Sequence, residues 1–198
     1  MTTSIFGSVV LRSEDPRFVR GEGRYVENIP IEGALRAVFV RSMMAHARIV
    51  AVDAEAARSM PGVVAVYTAP DLPLAAQPPS GNVAPAFARP VLAHDLVRFV
   101  GEPIAVVIAE SRAEADDAAE LVLVDYEPLP AVVGVEAALS DDAPLLFPEH
   151  GTNVCNEFGT DDRSNPLEGA DVVVRRTIVN QRLAPAPMET DKRSVFRS

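Results

Sequence analysis

The feature that most constrains the fold is a short helical segment between β-branched strands, and it occurs twice. In the first instance, residues 34–69, apolar and polar residues alternate with the period of half-buried strands on both sides of a short alanine-rich run. Asp53 stands where a helix N-cap belongs, and Pro61 with Gly62 ends the helix after about two turns. The predicted elements are strands at 34–42, 47–53 and 63–69, with the helix between the last two.

The second instance covers residues 98–127. "IAVVIAE" (104–110) predicts a strand that is apolar almost throughout. Ser111 and Glu114 form an S-x-x-E capping box, which predicts a helix from there to about Leu121. A further strand is predicted at 121–130, where two prolines end it. Small residues share one face of the helix, so it can approach a sheet closely: Ala115, Ala118, Ala119 and Val122. The two instances together predict an α+β domain.

The remaining segments lack this periodicity. Residues 1–33 predict an extended N-terminal arm with little structure of its own. Residues 70–90 predict a long proline-rich loop that is either ordered against another part of the structure or used as an interface. We therefore expect the arm at 1–33, one domain at 34–135, and a linker that leads into further structure at 136–198. Within the last part, "ADVVVRRTIVNQRLAPAPMET" predicts one more strand, and a strand from Ser194 is expected to lack a partner.

The composition excludes several classes of function. The 198 residues are 48% hydrophobic and carry a net charge of -10, so a core can be buried but duplex nucleic acid would be repelled. We expect no nucleic-acid and no membrane partner. The N-terminus has no basic start followed by an apolar stretch, and no run is as long as a membrane span. These features predict a cytoplasmic protein.

Glu102 is the one residue that looks like a catalytic carboxylate, because it stands between Gly101 and Pro103 just before an apolar strand. Glycine permits a turn, and proline forces the preceding residue into extended geometry. The sequence nearby offers no nucleophile or base to act with it, only Arg98 as an ion-pair partner. We interpret Glu102 as the structural start of a strand, held by a partly exposed ion pair.

Other candidate motifs are weaker still. A single cysteine, Cys155, excludes an internal disulfide and a multi-cysteine metal site in this chain. "GEGRY" (21–25) lacks the third glycine of a dinucleotide fingerprint, and the Asp pairs lack the spacing of a calcium loop. The histidines are isolated surface residues on this interpretation: His46, His94 and His150. We therefore predict no catalytic, cofactor-binding or metal-binding residue in this chain.

Taken together, the motifs resemble the α/β hammerhead domain at the N-terminus of the molybdopterin-binding large subunit of molybdenum hydroxylases. The resemblance is carried by "RSEDPRFVRGEGRY", "RFVGEP", "DAAELVLVDYEPLPAV" and "NQRLAPAPME", and it covers residues 9–190. That family includes xanthine dehydrogenase, aldehyde oxidase and the molybdenum-type carbon monoxide dehydrogenase. The resemblance implies a hammerhead fold with an extended arm and a C-terminal strand that leads toward a cofactor domain.

The resemblance also implies how the work is divided. In the family, the molybdenum cofactor is held by larger domains that follow the hammerhead, and the catalytic glutamate lies near the far C-terminus. The expected partners are those molybdopterin domains, an iron–sulfur subunit and an FAD subunit, and this chain alone is expected to bind no cofactor. Gln181 lies near the position of a glutamine that some members place close to the metal, but its spacing to Met188 and Glu189 leaves the match open.

Two kinds of protein fit these observations. The first is a structural and assembly part of a molybdenum hydroxylase large subunit, either a separate short subunit or a truncated large one. The second is a stand-alone, non-enzymatic binding or scaffold protein that keeps the hammerhead fold. The substrate of the parent enzyme stays open in either case.

Overall fold

The computed structural model of the chain describes residues 7, 9, 11–25, 29–79, 81, 83–157, 167–179, 183 and 194–196. The chain divides into two compact units, one formed by residues 1–33 and 182–193, the other by residues 34–181 and 194–198. In the first unit, a short helix α1 (Asp15–Val19) has a proline in its first turn, and the Phe18 ring stacks on Tyr25 at 6.0 Å between centroids. This part of the arm therefore has more structure than the sequence predicted.

The second unit is built from antiparallel strands with short helices. Its strands are β1 (Ala34–Arg41), β2 (Ala47–Asp53), β3 (Val63–Thr68), β4 (Leu96–Val97), β5 (Pro103–Ala109), β6 (Leu123–Pro128) and β7 (Ser194–Phe196). Its α-helices are α2 (Glu55–Arg58), α3 (Arg112–Glu120) and α4 (Val135–Ala138), with 3₁₀ turns at Ala69–Asp71, Pro85–Phe87 and Pro148–His150. The small mixed fold with few helices agrees with the α+β prediction.

Successive strands of the second unit alternate between two sheets. The four-stranded sheet has the order β3-β5-β1-β7 and the three-stranded sheet the order β4-β2-β6, so the odd strands form one sheet and the even strands the other. Each described strand therefore pairs with strands that are distant in sequence. In the larger sheet, Val107 of β5 lies opposite Val38 of β1 and Val66 of β3.

Strand β5 is buried on both faces, which explains its continuous apolar sequence. The face of Ala105, Val107 and Ala109 packs against helices α2 and α3. The opposite face, with Val106 and Ile108, packs with a second cluster that contains Leu35 and Leu92. Ile104, at the start of the strand, belongs instead to a third cluster with residues of the smaller sheet. One strand thus contributes to all three apolar clusters.

Helix α3 lies close to the larger sheet because its inner face carries only small side chains. The predicted capping box is present: the Ser111 hydroxyl accepts a 3.2 Å hydrogen bond from the Glu114 amide, and the Glu114 carboxylate accepts one of 2.8 Å from the Ser111 amide. Ala115 and Ala118 are fully buried against the β5 face. Local sequence therefore determines where this helix begins and which face it buries.

Three local predictions were wrong. Helix α2 is one turn long with Ala54 at its N-cap, although Asp53 still accepts a 3.0 Å hydrogen bond from the Glu55 amide. The described residues 170–179 of the predicted strand segment are exposed and form no strand, and from residue 180 only Leu183 of that segment is among the described residues. The strand that begins at Ser194 does have a partner, since β7 pairs with the start of β1.

The proline-rich loop 70–90 is partly ordered by the fold itself. Leu72 packs against the cluster on the outer face of β5, and Gln77 and Arg89 exchange backbone hydrogen bonds of 2.7 and 3.1 Å. The Phe87 ring lies 4.6 Å from the Phe147 ring and 4.8 Å from the His150 ring. Leu74, by contrast, is exposed. The loop is thus tied to the segment around residues 146–155.

Candidate functional site

The described residues bury three polar or charged side chains, two where β1 crosses to β2 and one in the turn before β5 that this crossing contacts. They are Ser42, His46 and Glu102, each less than a tenth exposed. Ser42 and His46 belong to the connection between the two sheets, and Glu102 stands just before β5. Because buried polar groups need hydrogen-bond partners, the contacts of these three side chains at this junction make up the candidate site.

Glu102 ends a tight turn whose backbone is set by Gly101, at a φ of +92° that favours glycine. Its carboxylate accepts a 2.6 Å hydrogen bond from the backbone N–H of Arg98. Burial raises the pKa of the Glu102 carboxyl, while the Arg98 amide and the nearby charges of Arg98 and Arg89 oppose that rise. The carboxylate is therefore a buried acceptor for a backbone amide.

The prediction that Glu102 forms a partly exposed ion pair with the Arg98 side chain was wrong. Glu102 is 3% exposed, and what it receives from Arg98 is the backbone amide. The Arg98 side chain points elsewhere: its Nε donates a 2.9 Å hydrogen bond to the Leu146 carbonyl, and the guanidinium lies 4.6 Å from the centroid of the Phe147 ring. Arg98 thus connects the turn before β5 with the segment that holds Phe87.

Ser42 fastens the end of β1 to this same turn. Its amide donates a 2.9 Å hydrogen bond to the Glu102 carbonyl, and its carbonyl accepts one of 2.7 Å from the Gly101 amide. Its hydroxyl is engaged within its own turn, where it contacts the Met44 carbonyl at 2.9 Å and the Met44 amide at 3.0 Å. A serine used in this way positions two turns against each other, a role that sequence reasoning missed.

His46 fastens the other side of the junction. It is 8% exposed, and its Nδ1–H donates a 2.7 Å hydrogen bond to the Pro130 carbonyl, while the His46 carbonyl accepts one of 3.0 Å from the Leu129 amide. The surface interpretation of His46 was therefore wrong. The partner lies 84 residues away, so no local signal could have revealed the contact.

The contacts of Ser42, His46 and Glu102 fix the connection between β1 and β2 against two other segments of the chain. The turn between β1 and β2 is bonded on one side to the start of β5 and on the other to the residues after β6. Nucleophilic or acid–base catalysis needs one side chain within hydrogen-bond reach of another. Here the described bonds of all three buried side chains run to backbone atoms. The geometry suits positioning.

The other candidate residues are dispersed. His94 is exposed and contacts Asp95 at 2.5 Å, whereas His150 is half-buried and its Nε2 lies 3.2 Å from the Val154 carbonyl. Cys155 is exposed. In the Asp pair on α3, Asp116 pairs with Arg112 at 2.7 Å. The part of the chain that the structure describes brings together no group of three or more His, Cys, Asp or Glu residues able to hold a metal ion.

The sequence also raised expectations about Gln181 and about membrane-spanning segments. Gln181, Met188 and Glu189 lie outside the described residues. As for a membrane-spanning helix, none of the helices in the described ranges is both long and apolar enough to cross a bilayer.

Comparison with known proteins places this fold in a family. A sequence profile of the aldehyde oxidase and xanthine dehydrogenase a/b hammerhead domain matches residues 20–130. The nicotine 6-hydroxylase large subunit of Paenarthrobacter nicotinovorans is 38% identical over 96% of this chain and 24% of its own length. The carbon monoxide dehydrogenase large chain of Afipia carboxidovorans is 38% identical over 90% of this chain and 24% of its own.

A solved structure gives the same result. Quinoline 2-oxidoreductase from Pseudomonas putida 86 superposes with a TM-score of 0.58 at 45% identity, covering 69% of this chain and 18% of that one. The chain thus spans about a quarter of the length of the curated relatives that it matches. With the profile covering more than half of its residues, the chain belongs to the aldehyde oxidase and xanthine dehydrogenase a/b hammerhead domain family, found in the large subunits of molybdenum hydroxylases.

Proposed function

We propose that this chain is the N-terminal structural and assembly part of a molybdenum hydroxylase large subunit and supplies no catalytic residue of its own. The observation that carries the proposal is the structural role of the Glu102 carboxylate. The carboxylate that most resembles a catalytic group is buried and bonded to the Arg98 amide, at the base of a strand that belongs to the core. Its task is to fix the turn before β5.

The proposal assigns the cofactors to the rest of the assembly. Relatives are named as molybdenum-binding subunits, and the family resemblance adds molybdopterin, iron–sulfur clusters and FAD for the whole complex. The described residues do not suit an iron–sulfur cluster, because they offer one exposed cysteine and no cluster of metal ligands. In the proposal this chain binds none of them, and its partners are the remaining molybdopterin domains, the iron–sulfur subunit and the FAD subunit.

The proposal also keeps the expected organisation of the chain. Residues 1–33 act as an arm, residues 34–135 as the hammerhead domain, and residues 136–198 as a linker and the start of the first molybdopterin-binding domain. We assign the assembly to the cytoplasm. The parent activity is an oxidoreductase of the hydroxylase or dehydrogenase type, and the residues that select its substrate belong to the cofactor domains. The relatives' names include nicotine, carbon monoxide and xanthine, so relatives of this domain belong to enzymes with different substrates, in keeping with the proposal.

Two measurements test the proposal. The purified chain should contain no stoichiometric molybdenum and should reduce no dye with xanthine, aldehydes or carbon monoxide. Tightly bound molybdenum together with turnover would overturn the non-catalytic part.

The second measurement is purification of the native complex through a tag on this chain, with its proteins identified by mass spectrometry. We expect a molybdopterin-binding polypeptide together with iron–sulfur and FAD subunits. A tagged chain that is recovered without any of them would favour the alternative, a stand-alone binding or scaffold protein with the hammerhead fold.

A further inference from the structure

Strand β3 forms one edge of the larger sheet and has a sequence that favours pairing. It pairs with β5 on one side, and within the described part of the chain it has no strand on the other. Its residues, "VVAVYT", are β-branched or aromatic except for Ala65 and carry no charge, and Val64 and Tyr67 are partly exposed. An uncharged edge of this kind is a template for the addition of another strand.

The outer side of this edge is engaged by two side chains from beyond the strand. Arg58, at the end of α2, has its Nη2 3.4 Å from the Val66 carbonyl. Asp71, in the 3₁₀ turn after β3, accepts hydrogen bonds of 2.8 Å from the Thr68 amide and 2.7 Å from the Thr68 hydroxyl. Val66 and Thr68 are alternate residues, and in a strand alternate residues direct their backbone groups to the same side. These are atoms that an added strand would need.

The two side chains are also joined to each other. Arg58 Nη2 lies 3.3 Å from Asp71 Oδ2, so they form a continuous strap across the end of β3. Hydrogen bonds from the Thr68 amide and hydroxyl lower the pKa of the Asp71 carboxyl; burial opposes them, and the charge of Arg58 adds a smaller lowering effect. The carboxylate is thus held in its charged form, and adding a strand would require the pair to be broken.

We propose that Arg58 and Asp71 guard the edge of β3 against strand addition by a second copy of this chain. A second copy is the occupant that fits, because two identical edges pair antiparallel about a two-fold axis with the same residues on each side. Because β3 carries no charged residue, two β3 edges would not repel each other, even though the whole chain carries a charge of -10. The guard keeps the domain available for its own assembly, and it does not depend on which enzyme that assembly is.

The test compares two double variants of the full chain with equal net charge. Arg58→Met with Asp71→Ala removes the strap, whereas Arg112→Met with Asp116→Ala removes an Arg–Asp pair of similar exposure on α3, away from the edge. We expect the dimer fraction, measured by light scattering after gel filtration, to rise about threefold to tenfold in the first variant only, since exposed pairs contribute modestly. Circular dichroism confirms folding, and Arg58→Met alone, which keeps the Thr68 contacts of Asp71, should shift in the same direction.

A second measurement locates the contact. Hydrogen exchange of the 63–68 amides should slow in the dimer, and adding Val64→Lys to the strap variant should return the dimer fraction to that of the wild type, because a charge on the edge opposes pairing. The proposal is overturned if the strap variants associate no more than the wild type. It is equally overturned if their association persists with Val64→Lys and the protected amides lie elsewhere.

Discussion

The carboxylate of Glu102 accepts a 2.6 Å hydrogen bond from the Arg98 amide at a site where Glu102 is 3% exposed. A buried carboxylate loses the solvation of its charge, and this is the main cause of its raised pKa. The same bond closes the turn that places β5 against β1. The ionisation of Glu102 is therefore coupled to the stability of the turn before β5.

The first prediction concerns the pH dependence of stability. An acid with a raised pKa in the folded state reduces stability as the pH rises from its unfolded pKa through its folded pKa. Glu102→Gln keeps an acceptor for the Arg98 amide and removes the charge. Denaturant unfolding measures the free energy of unfolding of both proteins between pH 4 and pH 8. The stability of Glu102→Gln relative to the wild type should increase as the pH rises.

The matched control for this change is Glu127→Gln, which removes an exposed carboxylate that pairs with Arg48 on the smaller sheet. It should change the free energy of unfolding by no more than ~1 kcal/mol at any pH. A difference between Glu102→Gln and wild type that stays constant with pH would contradict the role assigned to burial.

The second prediction concerns the contact between α3 and the larger sheet. Ala118 is fully buried in the cluster that includes Val107, so Ala118→Leu forces extra methylenes into a close helix–sheet contact. Overpacking of this kind lowers the free energy of unfolding by ~1–3 kcal/mol. Urea unfolding measures the change, and Ala113→Leu, on the exposed side of the same helix, is the control that should be near neutral. Equal effects at both positions would show that α3 docks differently.

The third prediction concerns His46. His46→Phe fills the space but leaves the Pro130 carbonyl without its 2.7 Å donor, which should lower the free energy of unfolding by ~1–3 kcal/mol. His46→Asn places an amide N–H near the position of Nδ1 and should recover part of that loss. The two variants are compared by denaturant unfolding. If His46→Asn were as unstable as His46→Phe, the hydrogen bond to Pro130 would not be the stabilising contact.

The fourth prediction concerns the proline-rich loop. Hydrogen exchange at 72–88 should be fast in the isolated chain and protected in the assembled complex, because prolines lower the entropy lost when such a loop orders against a partner. The structure sharpens this expectation: the exposed stretch around Leu74 should change most, and the region of Phe87 least. The amides of β5, slow in both states, are the internal reference. Equal exchange at 72–88 in both states would make the loop a simple connector.

The elements that sequence predicted well are those with a local cause. Alternation gave β1 and β2 almost to the residue, and Ser111 with Glu114 determined the start of α3. The exposed run 172–179 shows the limit of the same reasoning, since β-branched residues favour a strand but cannot make one without a neighbouring strand.

The junction could be predicted only in part. Gly101 and Pro103 pointed to a strand start at Glu102, and that is what the structure has. The burial of Glu102 and His46 could not be read from sequence, because their environment comes from segments distant in the chain. The partner of His46 is 84 residues away, and Arg98 reaches Leu146 across 48. Sequence showed His46 as isolated and offered Glu102 only the nearby Arg98, whereas the fold gives His46 and Arg98 partners far along the chain.

The alternation of odd and even strands between two sheets has a consequence for how the domain folds. Among the described strands, no two consecutive ones pair as a hairpin, so their pairings close long loops, as between β1 and β5 or β2 and β6. Chains dominated by such non-local contacts fold slowly. It also follows that neither sheet can be produced as a contiguous fragment of the chain. A break between β2 and β5 would place pairing strands of both sheets on two separate molecules, which would have to associate before either sheet could form.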